Sequence, residues 1–214
     1  MGRKKSLKLA EVDDLPNVFS FSRGNIEKRL LDFFDTSENI TLELGCGRGD
    51  YSITLAQKYP ERFFVGMDIR GARIWNGSKK AEELGLKNVA FVISRAEFLT
   101  EIFTKIKFEE IWIPFPDPFP KKRSTNRRLI APGFLERYSQ ITKPGALIHL
   151  KTDDDGLYNY ALEVLSQANA TILKNYADLY ANENLEFEET IKTKYEEEHL
   201  KAGKTIKLIT FKLA

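Results

Sequence analysis

Cysteine and histidine are scarce in this chain of 214 residues, which holds one Cys, Cys46, and two His. A lone thiol cannot close an internal disulfide. That excludes a disulfide-stapled secreted scaffold and fits a reducing, cytoplasmic setting. Chemistry built on a histidine base has few places to reside, and His149 falls mid-strand, where a hydrogen-bonded core residue is expected. No apolar run approaches the roughly 18–20 residues that span a bilayer, so no membrane association is expected. The start, Gly2-Arg3-Lys4-Lys5, is basic without a following apolar stretch, so it does not read as a secretory signal. Net charge is also small, at +2, and says little about partners by itself.

The distribution of charge says more. Residues 121–128 read Lys-Lys-Arg-Ser-Thr-Asn-Arg-Arg, five cations in eight positions. A second cluster, Arg3, Lys4, Lys5 and Lys8, lies at the N-terminus, whereas acids gather at Glu186, Glu188, Glu189 and Glu196 to Glu198. Such segregation marks either a polyanion-binding face or merely solvated surface, and a cluster alone does not decide between them.

Periodicity divides the chain into a basic arm over residues 1–25, expected to be flexible, and a single domain over residues 26–214. Pro16, Asn17, Ser20, Ser22 and Gly24 interrupt any period in the arm. Ile26, Leu30, Phe33 and Phe34 then recur at helical spacing. Strands are expected at Ile40 to Leu44, Arg62 to Met67, Val89 to Ile93, Phe108 to Ile113 and Ala146 to Lys151. Two more are expected near 170–176 and 205–213. Helices separate them: one marked by Tyr51, Leu55 and Ala56 before Pro60, one over about 71–84 closed by Gly85, one bearing Leu99, Ile102, Phe103 and Ile106. Pro132 opens another, and Leu157, Ala161, Val164 and Leu165 mark the last core-facing one. This alternation predicts an α/β fold with a mostly parallel seven-stranded sheet covered by helices on both faces. Ligands of such sheets bind beyond the carboxyl ends of the strands. Attention therefore falls on Glu43 to Gly49, Asp68, Asp117 and Asp153.

Gly45, Gly47 and Gly49 lie where the first strand turns into its helix, and glycine lets backbone approach a ligand closely. A dinucleotide fingerprint would need its third glycine at position 50, which is Asp50. The spacing is wrong for NAD, and an acid there suits a pyrophosphate poorly. Glu-x-Gly-x-Gly-x-Gly instead resembles the first motif of class I methyltransferases, whose S-adenosyl-L-methionine carries an ammonium and a sulfonium that carboxylates favour. Asp68 ends the second strand, where an acid accepts hydrogen bonds from ribose hydroxyls, or else caps the next helix. Cys46, inside this loop, reads as a small residue rather than a nucleophile.

After the fourth strand comes Pro114-Phe115-Pro116-Asp117-Pro118-Phe119-Pro120. Four prolines in seven positions make a stiff loop that cannot continue a sheet. It presents Asp117 between two aromatic rings, and the basic run follows at once, so a nucleobase site and phosphate contacts are contiguous.

From about residue 40 to 200 the chain resembles bacterial tRNA (guanine-N7-)-methyltransferases, a Rossmann-like class I methyltransferase family. The resemblance rests on Glu43 to Gly49, Pro116-Asp117-Pro118-Phe119-Pro120-Lys121-Lys122-Arg123, Lys151-Thr152-Asp153 and Thr193-Lys194-Tyr195-Glu196-Glu197. It implies methyl transfer from S-adenosyl-L-methionine to N7 of a guanosine in the tRNA variable loop. By the same resemblance Glu43, Gly45, Gly47, Gly49, Asp68, Arg95 and Asp117 bind the cofactor, and Asp117 is catalytic. Lys121, Asp153, Thr193, Lys194, Tyr195 and Glu196 contact the guanosine or its surroundings, and Arg123, Arg127 and Arg128 bind RNA. Arg95 departs from the family, which often has Asp or Asn there; a guanidinium cannot accept from the adenine amino group.

Guanine N7 carries a lone pair and no proton, so its methylation needs no general base, in keeping with the scarcity of histidine. The run Asp153-Asp154-Asp155 reads as helix-capping acids, and no metal is expected. A monomer or homodimer is expected, with tRNA as partner. Three other readings compete. An amino-methylating nucleic-acid enzyme would be expected to show Asn/Asp-Pro-Pro-Tyr/Phe after the fourth strand, where this chain has Pro116-Asp117-Pro118-Phe119 without the adjacent prolines. A small-molecule methyltransferase shares the first motif but does not predict the basic run, and a non-catalytic RNA-binding protein on this fold would keep the cations and lose the acids.

Overall fold

A helix already forms at the N-terminus, where the sequence predicts only a flexible arm. The computed structural model describes residues 2–36 and 38–213, and contacts divide the chain into two compact units, Met1–Phe108 and Glu109–Ala214.

In the first unit α1 (Gly2–Glu11) is followed by strand β1 (Val18–Ser20), so residues 1–25 hold two regular elements. The side chains of Arg3, Lys4 and Lys5 lie outside what is described. The helix has a physical cause. The ammonium of Lys8 lies 4.4 Å above the Trp75 ring, Trp75 Nε1 donates to Glu11 Oε2 at 3.1 Å, and Val12 is buried. Lysine stems thus cover an aromatic surface on a neighbouring helix, which charge counting reads as solvated. β1 pairs in parallel with β4 (Val89–Ile93), Val18 opposite Phe91.

The remainder of this unit follows the expected alternation: α2 (Ile26–Phe34), β2 (Ile40–Leu44), α3 (Asp50–Lys58), β3 (Phe63–Asp68), α4 (Gly71–Glu83) and α5 (Leu99–Ile102). The four strands run parallel in the order β1-β4-β3-β2, with Glu43 opposite Gly66 and Asp68 opposite Ile93. Leu42, Val65, Phe91, Leu30 and Ile74 are buried among them, as strands covered on both faces require. The helix expected through Ile106 stops a turn early. Buried Glu27 of α2 accepts Thr104 Oγ1 at 2.7 Å and the backbone N–H groups of Lys105 and Ile106 at 2.6 and 2.8 Å. Those amides are no longer free to bond helical carbonyls.

The second unit contains β5 (Phe108–Pro114), which starts on the last residue of the first, then α6 (Pro132–Ile141), β6 (Thr142–Thr152), α7 (Asp155–Gln167), β7 (Thr171–Tyr176), α8 (Phe187–Thr190), α9 (Lys194–Lys201) and β8 (Lys207–Lys212). The strand order is β5-β6-β8-β7, and β8 lies antiparallel to both β6 and β7. β6 starts at Thr142, not after the Pro144-Gly145 turn. The described residues hold eight strands in all, one more than the periodicity predicts, and β1 is the extra one. No helix among the described residues is long and apolar enough to cross a membrane.

Candidate active site

The glycine turn after β2 is built on the ends of β3 and α4. Gly47 and Gly49 take φ of +58° and +68°, a region that costs little only for glycine. A Cβ on Gly49 would lie 2.4 Å from Phe91 Cε1, so only a bare backbone fits over that ring. The N–H groups of Gly45 and Cys46 donate to the Met67 carbonyl at 2.8 and 3.0 Å. Gly47 N–H donates to Asp68 Oδ2 at 2.9 Å, and Arg70 N–H to Asp68 Oδ1 at 2.8 Å. The acid expected to meet a ribose therefore also braces the glycine turn.

Glu43 is buried on β2, and its Oε2 accepts both the Ser52 N–H, at 3.0 Å, and the Ser52 hydroxyl. Burial pushes its carboxyl up to about 8, against the lowering effect of the Ser52 bonds. Cys46 is buried, and burial followed by the charges of Glu43 and Asp68 pushes its thiol well up; a thiolate nucleophile is disfavoured there. Arg95 is exposed at the start of a short 3-10 turn, Ala96–Phe98. Gly77 of α4 escaped the sequence reading. A Cβ there would lie 2.4 Å from the Arg48 carbonyl oxygen, so this helix touches the glycine turn through bare backbone.

In the second unit the proline loop leaves β5 with Phe115 and Phe119 at φ of +51° and +41°. Each precedes a proline, and neither bulky residue adopts that region without support. The support is visible. Phe115 N–H donates to the Lys151 carbonyl at 2.7 Å, while Arg128 donates from Nε to the Pro118 carbonyl at 2.8 Å and from Nη2 to the Phe119 carbonyl at 3.2 Å. Arg128 is buried with its guanidinium 4.3 Å above the Tyr160 ring. Of the cations expected at RNA, Arg128 is thus the one whose donors hold the loop. Lys121, Arg123 and Arg127 are exposed, Arg127 over the Phe119 ring at 4.4 Å, and Asp117 is exposed at the loop tip.

The Thr193 to Glu196 run starts α9. Thr193 Oγ1 accepts the Glu196 N–H at 3.2 Å as the helix cap, and Lys194 is exposed. Tyr195 is 46% exposed, and its ring centroid lies 5.3 Å from that of Phe115 and 3.9 Å from that of His199. Burial, then the charge of Asp153, and to a lesser degree that of Asp117, push its hydroxyl up. Asp153 binds His199 Nδ1 at 2.9 Å and Lys204 Nζ at 2.6 Å. Burial raises its carboxyl, but the bonds from Lys204 and His199 hold it below the usual range. Glu196, expected at the guanosine, is fully buried. Its Oε1 pairs with Lys151 Nζ at 2.8 Å and accepts from Tyr180 Oη at 2.6 Å. Its Oε2 is buried without a hydrogen-bond partner among the described residues.

Other acids have local duties. Asp154 Oδ1 accepts the Leu157 N–H as the cap of α7, and Asp155 pairs with Lys207 at 2.6 Å. His149 is the packed residue expected, stacked on Trp112 at 3.9 Å with Nδ1 2.9 Å from Thr210 Oγ1.

The methyltransferase family model Methyltransf_4 matches residues 37–209. The tRNA (guanine-N(7)-)-methyltransferase of Christiangramia forsetii is 40% identical over 223 residues, covering 100% of each chain. The chain belongs to the tRNA (guanine-N(7)-)-methyltransferase family. Solved structures agree on the fold of this family member, a Rossmann-like class I methyltransferase. A 16S rRNA methyltransferase, KamB, has a TM-score of 0.67 at 15% identity, covering 88% of this chain and 94% of its own. A mutant 16S rRNA (adenine(1408)-N(1))-methyltransferase from Catenulisporales acidiphilia, solved with cosubstrate SAM, has a TM-score of 0.57 at 13% identity, covering 88% and 91%.

Of the residues picked out in the sequence, the turn glycines and Asp68 meet in the first unit, and Phe115, Lys151, Asp153, Tyr195 and Glu196 meet in the second, joined there by Tyr180 and His199. A signal for Lys151 was available, since a lysine closing the apolar run Ala146 to Leu150 must find partners if the strand is buried.

Proposed function

We propose that the protein transfers a methyl group from S-adenosyl-L-methionine to N7 of a guanosine in the variable loop of tRNA. The observation that carries the reading is the exposed Asp117, held at the tip of a braced proline loop that also carries Phe115 and is followed by exposed cations. The charge of Asp117 bears on the Tyr195 hydroxyl, so a carboxylate and a base-stacking ring share one locality.

The donor supplies a methyl made electrophilic by its sulfonium. The residues of the first unit suit such a ligand: glycine backbone at positive φ, the Asp68 carboxylate, and Glu43, whose ionised form a cationic ligand favours. Guanine N7 needs no deprotonation, so the chain must orient the base rather than remove a proton. Tyr195 and Phe115 offer it faces for stacking. Asp117 accepts from its N–H groups and offsets the positive charge that the methylated base acquires. Lys121, Arg123 and Arg127 neutralise phosphates. Asp153 and Lys194 act around the nucleotide, and Arg95 lies on the adenine side of the cofactor. A small-molecule enzyme leaves these exposed cations without a purpose, and a non-catalytic binder leaves the exposed Asp117 without one.

Labelled S-adenosyl-L-methionine incubated with an unmodified tRNA transcript tests the reading. Label should appear in N7-methylguanosine of the variable loop. Transfer to small molecules alone would overturn it.

A further inference from the structure

Lys151 is a fully buried cation whose two ends grip two different segments of the second unit. Its carbonyl accepts the Phe115 N–H at 2.7 Å. Its ammonium donates to the Glu189 and Ile191 carbonyls, each at 2.9 Å, and pairs with Glu196 Oε1 at 2.8 Å. Three N–H bonds meet three acceptors, so this lysine has no donor left for a substrate. The carbonyls it takes lie on the stretch from α8 to α9, and Glu196 lies beside Tyr195. Phe115 and Tyr195 are the rings that stand 5.3 Å apart. Phe115, at φ of +51° before Pro116, keeps that backbone only while its surroundings hold it.

We propose that the Lys151–Glu196 pair is a positioning device: it sets Phe115 and Tyr195 in the register that receives the acceptor base beside Asp117. This deepens the function proposed above and rests on it. A buried apolar pair would serve stability as well as this ion pair does. It would not capture two main-chain carbonyls and a carboxylate at once, and that capture is what places Tyr195.

Three variants of the full chain test the idea: Lys151→Met, Glu196→Gln and the double variant. The double variant leaves no unpaired buried charge, so it folds even where Lys151→Met alone does not. The expected result is a kcat on tRNA lowered roughly tenfold to a hundredfold, the scale of a small misplacement of reacting groups. KM for tRNA and the dissociation constant of S-adenosylhomocysteine stay within about threefold of wild type, because surface cations and the first unit set them. The double variant is no slower than the slower single variant, since both substitutions break one device. Losses that multiply in the double variant would mean that Glu196 acts on the base directly, and would overturn the proposal. So would a folded double variant with wild-type kcat, or one whose loss lies wholly in KM. Wild-type protein that makes no N7-methylguanosine would instead overturn the functional reading, and this inference with it.

Discussion

Asp68 Oδ2 accepts the backbone N–H of Gly47 at 2.9 Å, so the acid at the end of β3 and the turn after β2 are one construction. Replacing Asp68 by Ala removes a charged acceptor and frees the turn, whereas Asn retains an acceptor. Asp68→Ala should weaken S-adenosylhomocysteine binding by at least about tenfold, on the scale of one charge-assisted hydrogen bond of roughly 1.5–3 kcal/mol. Asp68→Asn should fall between it and wild type. Titration calorimetry reads both, and binding by the Ala variant within twofold of wild type would remove Asp68 from the cofactor site.

Glu43 should make cofactor binding depend on pH. Its folded carboxyl is pushed up to about 8 by burial, from an ordinary 4.5. Between those values the folded chain keeps a proton that the unfolded chain has lost. Its contribution to stability is therefore greatest at low pH, falls as pH rises through this window, and levels off above about 8. A cationic ligand favours the ionised carboxylate, so apparent cofactor affinity should rise with pH up to about 8. Glu43→Gln should flatten both profiles between pH 5 and 8. Affinity that falls with pH in the wild type would contradict the assignment.

Arg127 and Arg128 are adjacent in sequence and differ in fate. Arg127→Ala should reduce the salt dependence of tRNA binding by about one in slope, as expected for a lost phosphate contact. Arg128→Ala should leave that slope unchanged. It should cost about 2 kcal/mol of stability instead, because the Pro118 and Phe119 carbonyls lose a charged donor. Filter binding across salt concentrations and urea melts separate the two effects, and equal slopes for both variants would refute the division.

Gly77→Ala sets two effects against each other. Alanine in a helix normally gains about 0.5–1 kcal/mol over glycine. Here the new Cβ would lie 2.4 Å from a backbone carbonyl oxygen of Arg48, and overpacking costs about 1–3 kcal/mol. The clash wins, so the variant should melt at a lower temperature and bind cofactor more weakly. A stabilised variant with unchanged affinity would show that the turn yields freely.

The core strands and the glycine turn were legible because strand burial and turn glycines leave local patterns. β1 was not. Val18-Phe19-Ser20 is too short to show a period, and it earned its place by pairing with Phe91 to Ile93. α1 was hidden because lysine stems and Trp75 cover each other, which composition reads as solvent. The early end of α5 depends on Glu27, far away in sequence. The site divides the same way. Asp117 was visible because four prolines surround it. Which arginine of the basic run turns inward, and that Lys151 pairs with Glu196, are facts of distant contacts that leave no local mark.

The most direct test of the central claim uses a tRNA whose variable-loop guanosine is replaced at that single position by 7-deazaguanosine, which has carbon in place of N7. With labelled S-adenosyl-L-methionine, the unsubstituted tRNA should take up methyl at that guanosine and the substituted one should take up none. Equal methylation of both would contradict transfer to N7.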